Sequence, residues 1–275
     1  MTQASPSPVE DSSQAPPPFY VPEGGLYLPS PVTASPWDKS LQSGFAMAGL
    51  LASALERVPA PQGACPASFK MDVLRPAPRK PSTVITRVLR EARKFQLAQA
   101  VMQVDGVDVA TATLVRFRHL ATPVPGEGQG LQSYPPPQAG VQTPGSARNA
   151  HLRPSTEMRF LRGAIKERGP ATVWLRLAQR IVADRPTSPF VCAAVFSDYG
   201  SGLSNVLDGR QFMFANVDLT LHLNRQPVGE WILIDSTTAT GGEGYGLTSS
   251  VLADLDGEFG RAHQTLIVDP VGRPG

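Results

Sequence analysis

The sequence predicts an α+β fold made twice over, each half a buried helix wrapped by a curved antiparallel sheet. Three observations carry that expectation. Apolar residues at helical spacing open the first half, alternating β-branched runs follow them to Phe117, and beyond a Pro/Gly-rich interruption a second half runs on to Val268 with landmarks at matching distances.

Residues 1–22, rich in Pro, Ser, Ala and Gln with little periodic apolar content, read as a disordered tail. The first repeat is expected over 23–121. In "LQSGFAMAGLLASALERV", Phe45, Leu50, Leu51 and Leu55 recur at near-helical spacing with almost no charge between them, predicting a buried helix over Ser43 to Arg57. Phe69, Met71 and Val73 then alternate with polar neighbours as a strand does, and the long run from Ser82 to Phe117 folds back on a hairpin at Asp105-Gly106. Residues 122–156, full of Pro and Gly, read as a linker or long surface loop.

The second repeat is expected over 157–270. "TVWLRLAQRI" and "PFVCAAVF" are strand-like, "SDYGSGLSNVL" resembles a short helix start, and three alternating runs follow, with a turn expected at Asp256-Gly257. Matching Arg75 to Arg225 leaves 30 residues to the turn Asp in one half and 31 in the other, and 11 from the turn Gly to the end of the last strand in both. Order and spacing, with little shared identity, point to an internal duplication.

Composition narrows the function. A net charge of +2 and scattered Arg residues do not call for nucleic acid as a partner. The start of the chain has neither the basic region nor the apolar core of a secretory signal, and no apolar stretch approaches the roughly 18 residues that span a bilayer, so the expected location is the cytoplasm. The two cysteines have no metal-ligand spacing and no metal is expected.

The duplication also singles out one half. Laying "QSGF" on "FSDY" sets Asp198 against Gly44 at a helix start, and counting from the Arg anchors sets Gln264 close to Thr113. Only the second half pairs an acid with an amide, which implies one functional site per chain. Asp at a helix start is also a common structural cap, and a Gln in an alternating strand is commonly a ladder residue. Both readings stay open on the residues alone.

"SPWDKSLQSGFAMAGLLASALE", "FKMDVLRPAP", "VLREARKFQLAQAVMQVDGVDVATATLVRF", "FSDYG" and "DGEFGRAHQTLIV", in that order, resemble the double-hotdog acyl-CoA thioesterases of the thioesterase II (TesB-like) group. The likeness spans roughly Gly25 to Asp269. It implies a double hotdog fold and hydrolysis of acyl-CoA thioesters, with CoA entering only as part of the substrate, no other cofactor, and homo-oligomers as a possibility. Such enzymes hold a water with an Asp, a Thr-like residue and a Gln. Asp198 and Gln264 match the first and last; Asn216 in "MFANVDL" stands where the pattern has Thr.

The chemistry of the residues agrees with that implication. A carboxylate at Asp198 suits a general base, with Gln264 and Asn216 orienting the water. Backbone N–H groups of Ser43, Gly44 and Phe45, if the first helix begins there, suit a developing oxyanion. Arg75, Arg79 and Arg93 are candidates for CoA phosphates. A different class, a non-catalytic acyl-CoA or acyl-carrier binding protein, draws support from Asn216. A hotdog dehydratase would need a His at a helix start, and none of the four His stands at one.

Overall fold

The structure is a computed structural model that describes residues 17–118, 132–142, 155–165 and 167–272. Its first half contains β1 (Tyr20–Glu23), β2 (Leu26–Pro29), α1 (Gly44–Glu56), β3 (Ala64–Val73), β4 (Ser82–Glu91), β5 (Phe95–Val104) and β6 (Val107–Arg118). The second half opens with β7 (Thr156–Arg162) and β8 (Ala171–Leu177), followed by the helices α2 (Pro189–Ser197) and α3 (Gly200–Leu203). It closes with β9 (Phe212–Asn216), β10 (Asp218–Leu223), β11 (Trp231–Thr240), β12 (Tyr245–Asp254) and β13 (Gly257–Pro270).

Among the described residues the strands form one antiparallel sheet in the order β1-β2-β4-β5-β6-β3-β10-β13-β12-β11-β8-β7, with β9 on β13. That order is a palindrome about the β3·β10 seam. Lys70 pairs with Thr220 there, and the two halves superpose in register at a constant offset of 150: Met102 faces Ala110 as Leu252 faces Gly260, and a bulge follows each pair. Offsetting register with matched bulges gives both sheets the same curl around their helices.

The helices lie antiparallel inside that curl. A Cβ on Gly49 would come within 2.8 Å of Val195, so the missing side chain lets the two axes approach. Ser188, the N-cap of α2, donates its hydroxyl to Glu56 at the end of α1 (2.8 Å). Apart from Gly44 and Glu56 every residue of α1 is buried, as is every residue of α2 but Pro189, and this continuous burial explains a missed element. "PFVCAAVF", expected as a strand, is α2: an apolar run buried on all sides has no polar face to reveal its period. Its helical signals are the N-cap Ser188, which accepts the Val191 N–H, and Pro189 at the first turn.

Two further expectations are corrected. The last residues of the supposed tail are ordered: the N–H groups of Phe19 and Tyr20 donate to Arg180 and Ile181, and both rings are fully buried; residues 1–16 lie outside the described residues. The second hairpin turns on Leu255-Asp256, and Gly257, at φ 104°, opens β13. The one-residue difference in spacing between the halves came from matching the wrong pair. Within 122–156, residues 132–142 are described and pack on the second sheet, where Trp174 donates its indole N–H to Pro135 (2.8 Å) and Val141 bridges Phe160.

Candidate active site

Asp198 is not at a helix start. It is the C-cap of α2, ten residues after the N-cap Ser188, and the corresponding count from Ser43 in α1 reaches Ser53. Its counterpart in the duplication is therefore Ser53, and Gln264, by the same register that pairs it with Thr248 and pairs Leu114 with Ala98, corresponds to the core residue Leu114. Gly44 meets Asp198 all the same, through space: an added Cβ would lie 2.7 Å from Oδ1 and 2.9 Å from Oδ2. The antiparallel helices bring the end of α2 onto the start of α1, and only glycine admits the carboxylate there.

The chain turns at Asp198 because its helical ladder is interrupted. The N–H groups of Asp198 and Tyr199 bond three residues back, to Val195 and Phe196, which tightens the coil before α3 begins. Gln264 spans the gap. Its Nε2 donates to the Asp198 carbonyl (3.0 Å) and its Oε1 accepts the Ser201 N–H (3.0 Å), so a side chain from β13 replaces missing rungs of the ladder. A Cβ on Gly200 would lie 3.0 Å from Gln264 Oε1 and 2.7 Å from Ser250, so this too is a position for glycine. Beneath α3 the inner sheet face is polar, with Ser204, Thr238 and Thr248 in one hydroxyl chain and Ser236 paired to Ser250.

Asn216 completes the constellation from the end of β9. Its Nδ2 donates to Asp198 Oδ1 (2.6 Å) while its Oδ1 accepts the Ser201 hydroxyl (3.1 Å), so both faces of the amide are fixed. The backbone N–H of Phe45 also reaches the carboxylate. Burial pushes the Asp198 pKa up to about 6, against the opposing pull of Asn216 and Phe45, which favour the charged form. A carboxylate so placed is ionised at neutral pH yet basic enough to accept a proton.

These groups open onto a cavity of about 1070 Å³. Asp198, Asn216, Ser43, Gly44 and Phe45 are all in its lining, which is otherwise largely apolar, with Met47, Leu203, Met213 and the edge-to-face pair Trp37 and Phe214 (4.9 Å). Arg75, Arg168 and Arg210 also line it, the last two held by Asp208 at 3.0 and 2.9 Å. Arg79 and Arg93 are not in the lining. Gln264 is likewise behind the wall, buried, with its bonds on the backbone.

Of the three backbone donors expected at the start of α1, two are occupied. Ser43 N–H donates to Thr33 (2.8 Å) and Phe45 N–H serves Asp198, which leaves Gly44 N–H without a partner among the described residues. Sequence reasoning missed Ser201, which sits three residues past Asp198 on the same short coil, and the Trp37–Phe214 wall. The run of small residues after Asp198 was the available signal for a tight polar contact. No cluster of potential metal ligands occurs among the described residues, nor any helix long and apolar enough to cross a membrane.

Two family models match the chain, the acyl-CoA thioesterase N-terminal domain over residues 33–117 and the acyl-CoA thioesterase C-terminal domain over 125–268. Among curated proteins, none matches. Solved structures share the fold at low identity. A conserved hot dog-fold protein of unknown function from Alicyclobacillus acidocaldarius is 16% identical, with TM-score 0.72 over 93% of this chain and 96% of that one. The tesB protein of Mycobacterium avium subspecies paratuberculosis is 18% identical (TM-score 0.65; 89% and 93% covered). The acyl-CoA thioesterase II TesB2 of Mycobacterium marinum is 16% identical (TM-score 0.65; 92% and 95%).

Proposed function

The chain belongs to the acyl-CoA thioesterase family, and from that premise we propose that its two halves are tandem hotdog repeats enclosing one hydrolytic site, in which Asp198 activates water against an acyl-CoA thioester. The observation that carries the reading is the Asp198 carboxylate itself, held at the wall of an apolar cavity with its pKa raised to about 6. Asn216 occupies Oδ1, so Oδ2 is the oxygen that takes the proton.

In this reading Asp198 removes a proton from a bound water as the water oxygen attacks the thioester carbon. The carbonyl oxygen, now negative, accepts the N–H of Gly44 at the positive end of α1. Collapse breaks the C–S bond, and the CoA thiolate leaves as the thiol with the proton that Asp198 had taken, so the carboxylate is restored. The sum is acyl-CoA plus water to free acid plus CoA. Asn216 keeps the carboxylate aimed. Gln264 acts at one remove, as a positioning residue that fixes the bend carrying Asp198. The acyl chain lies along the apolar wall, and Arg75, Arg168 and Arg210 face the CoA phosphates.

Free-thiol release across a panel of acyl-CoAs tests the reading. Asp198→Ala is expected to slow release by about 10³-fold or more on every substrate the wild type accepts, with the fold intact by circular dichroism. Undiminished release by Asp198→Ala would overturn the mechanism. Binding of acyl-CoA by the wild type without thiol release would favour the non-catalytic binding protein.

A further inference from the structure

The N-caps of the two helices are the same residue in nearly the same backbone conformation, yet their hydroxyls do different things. Ser188 (φ −73°, ψ 158°) accepts the Val191 N–H at 3.2 Å and donates to Glu56. Ser43 (φ −78°, ψ 153°) makes no capping bond, and its hydroxyl is buried with no hydrogen-bond partner at all. Ser43 is 2% exposed and lines the cavity beside Gly44 and Asp198.

The reason lies in the other half of the molecule. The Asp198 carboxylate presses on Gly44 and takes the Phe45 N–H, doing from outside what an N-cap side chain does from within. Ser43 is thereby released from capping. Its N–H donates to Thr33 and its carbonyl accepts from Met47, so the hydroxyl alone is unengaged. A buried polar group without a partner is destabilising, and native proteins keep few of them. Here the residue that carries the group is in the cavity lining next to Gly44, whose N–H is the donor of the reading above.

We propose that the Ser43 hydroxyl is a substrate-binding donor that, with Gly44 N–H, holds the thioester carbonyl oxygen and strengthens its bond as that oxygen becomes negative. The proposal rests on the thioesterase reading above and extends it to a side chain. Two donors of different kinds, one backbone and one hydroxyl, converge on one oxygen, which is the arrangement of an oxyanion hole.

Kinetics and binding together decide it. Ser43→Ala is expected to lower kcat by about 10- to 100-fold with KM nearly unchanged, while the melting midpoint holds or rises, because no working cap is lost. Ser43→Thr, which keeps a hydroxyl, is expected to recover most of the rate. Ser188→Ala should do the converse, lowering the midpoint and leaving kcat per folded molecule alone. A ketone analogue of acyl-CoA, with CH2 in place of sulfur, and a thioether analogue without the carbonyl give a readout that needs no turnover. Ser43→Ala should bind the ketone about tenfold more weakly and the thioether as the wild type does. An unchanged kcat, equal losses on both analogues, or a lowered midpoint in Ser43→Ala would overturn the proposal. Absence of hydrolysis by the wild type would remove the thioesterase reading while the analogue pair still decided the role of Ser43; failure of the wild type to bind either analogue would overturn both.

Discussion

The two halves share a backbone plan residue for residue over their sheets, and they part company at the far ends of their helices. In the first half α1 runs unbroken to Glu56, and the guanidinium of Arg116 plugs the space beyond it by donating to the carbonyls of Leu55 and Val58 and to Gln96. In the second half the position of Arg116 belongs to Leu266, the position of Leu114 to Gln264, and the helix breaks at Asp198. One end is a sealed hydrogen-bonded plug. The other has moved its polar groups inward, under the helix, and left the end open to a cavity. On the proposed reading, one site per chain follows from this difference: polar side chains close the end of α1, and at the end of α2 they lie beneath the helix and hold its bend.

The comparison breaks most completely if the second half is given the first half's residue. Gln264→Leu should straighten or loosen the bend, leaving the Asp198 carbonyl and Ser201 N–H unpartnered; we expect thiol release to fall by about 100-fold or more and stability by about 2–3 kcal/mol, read by urea unfolding. Gln264→Glu, which retains the acceptor for Ser201, should lose less activity. Retention of full activity by Gln264→Leu would show that the clamp is dispensable.

The reciprocal change sharpens the contrast. Arg116→Leu copies the second half into the first and leaves the end of α1 uncapped, so stability should drop by about 2 kcal/mol while the rate per folded molecule is kept. A change in kcat as large as that of Gln264→Leu would mean the two ends are not functionally separate.

Most diagnostic is the response to pH. The folded-state pKa of Asp198, about 6, is above the roughly 3.9 of an unfolded Asp, so the protonated form is favoured by folding and that contribution is lost as pH rises through 6. The wild type should therefore be less stable than Asp198→Asn at pH 8, by up to about 3 kcal/mol, with the gap closing toward pH 4. Activity should follow the opposite course, rising with pH through about 6 as the base ionises. A wild-type stability advantage over Asp198→Asn at pH 8 would contradict the raised pKa of Asp198.

Much of the sheet was legible in the sequence because each strand carries its own alternation, and α1 was legible from Ser43 to Arg57 because apolar spacing and small residues coincide there. The second helix was not, since Phe190 to Phe196 offers no polar face to betray a 3.6-residue period. Asp198 stood out as an isolated acid among apolar and small residues, whereas its contact with Asn216 depends on β9 turning back onto β13, which local spacing does not encode. Gln264 was identified by position, but its place behind the cavity wall follows from the helix break, and the idle hydroxyl of Ser43 follows from a carboxylate 155 residues along the chain. Properties of that kind belong to the packing of two helices and have no signature in either alone.

The β3·β10 seam has a consequence for fidelity. A slip of two residues along it would keep every strand side chain on its proper face, so the pleat of the sheet alone would not forbid it. It would nevertheless carry the start of α1 about 7 Å from the end of α2, stranding Asp198 without Phe45 and Gly44. Turnover is then a gauge of register: a misaligned molecule passes for folded by its secondary structure and is silent in the assay.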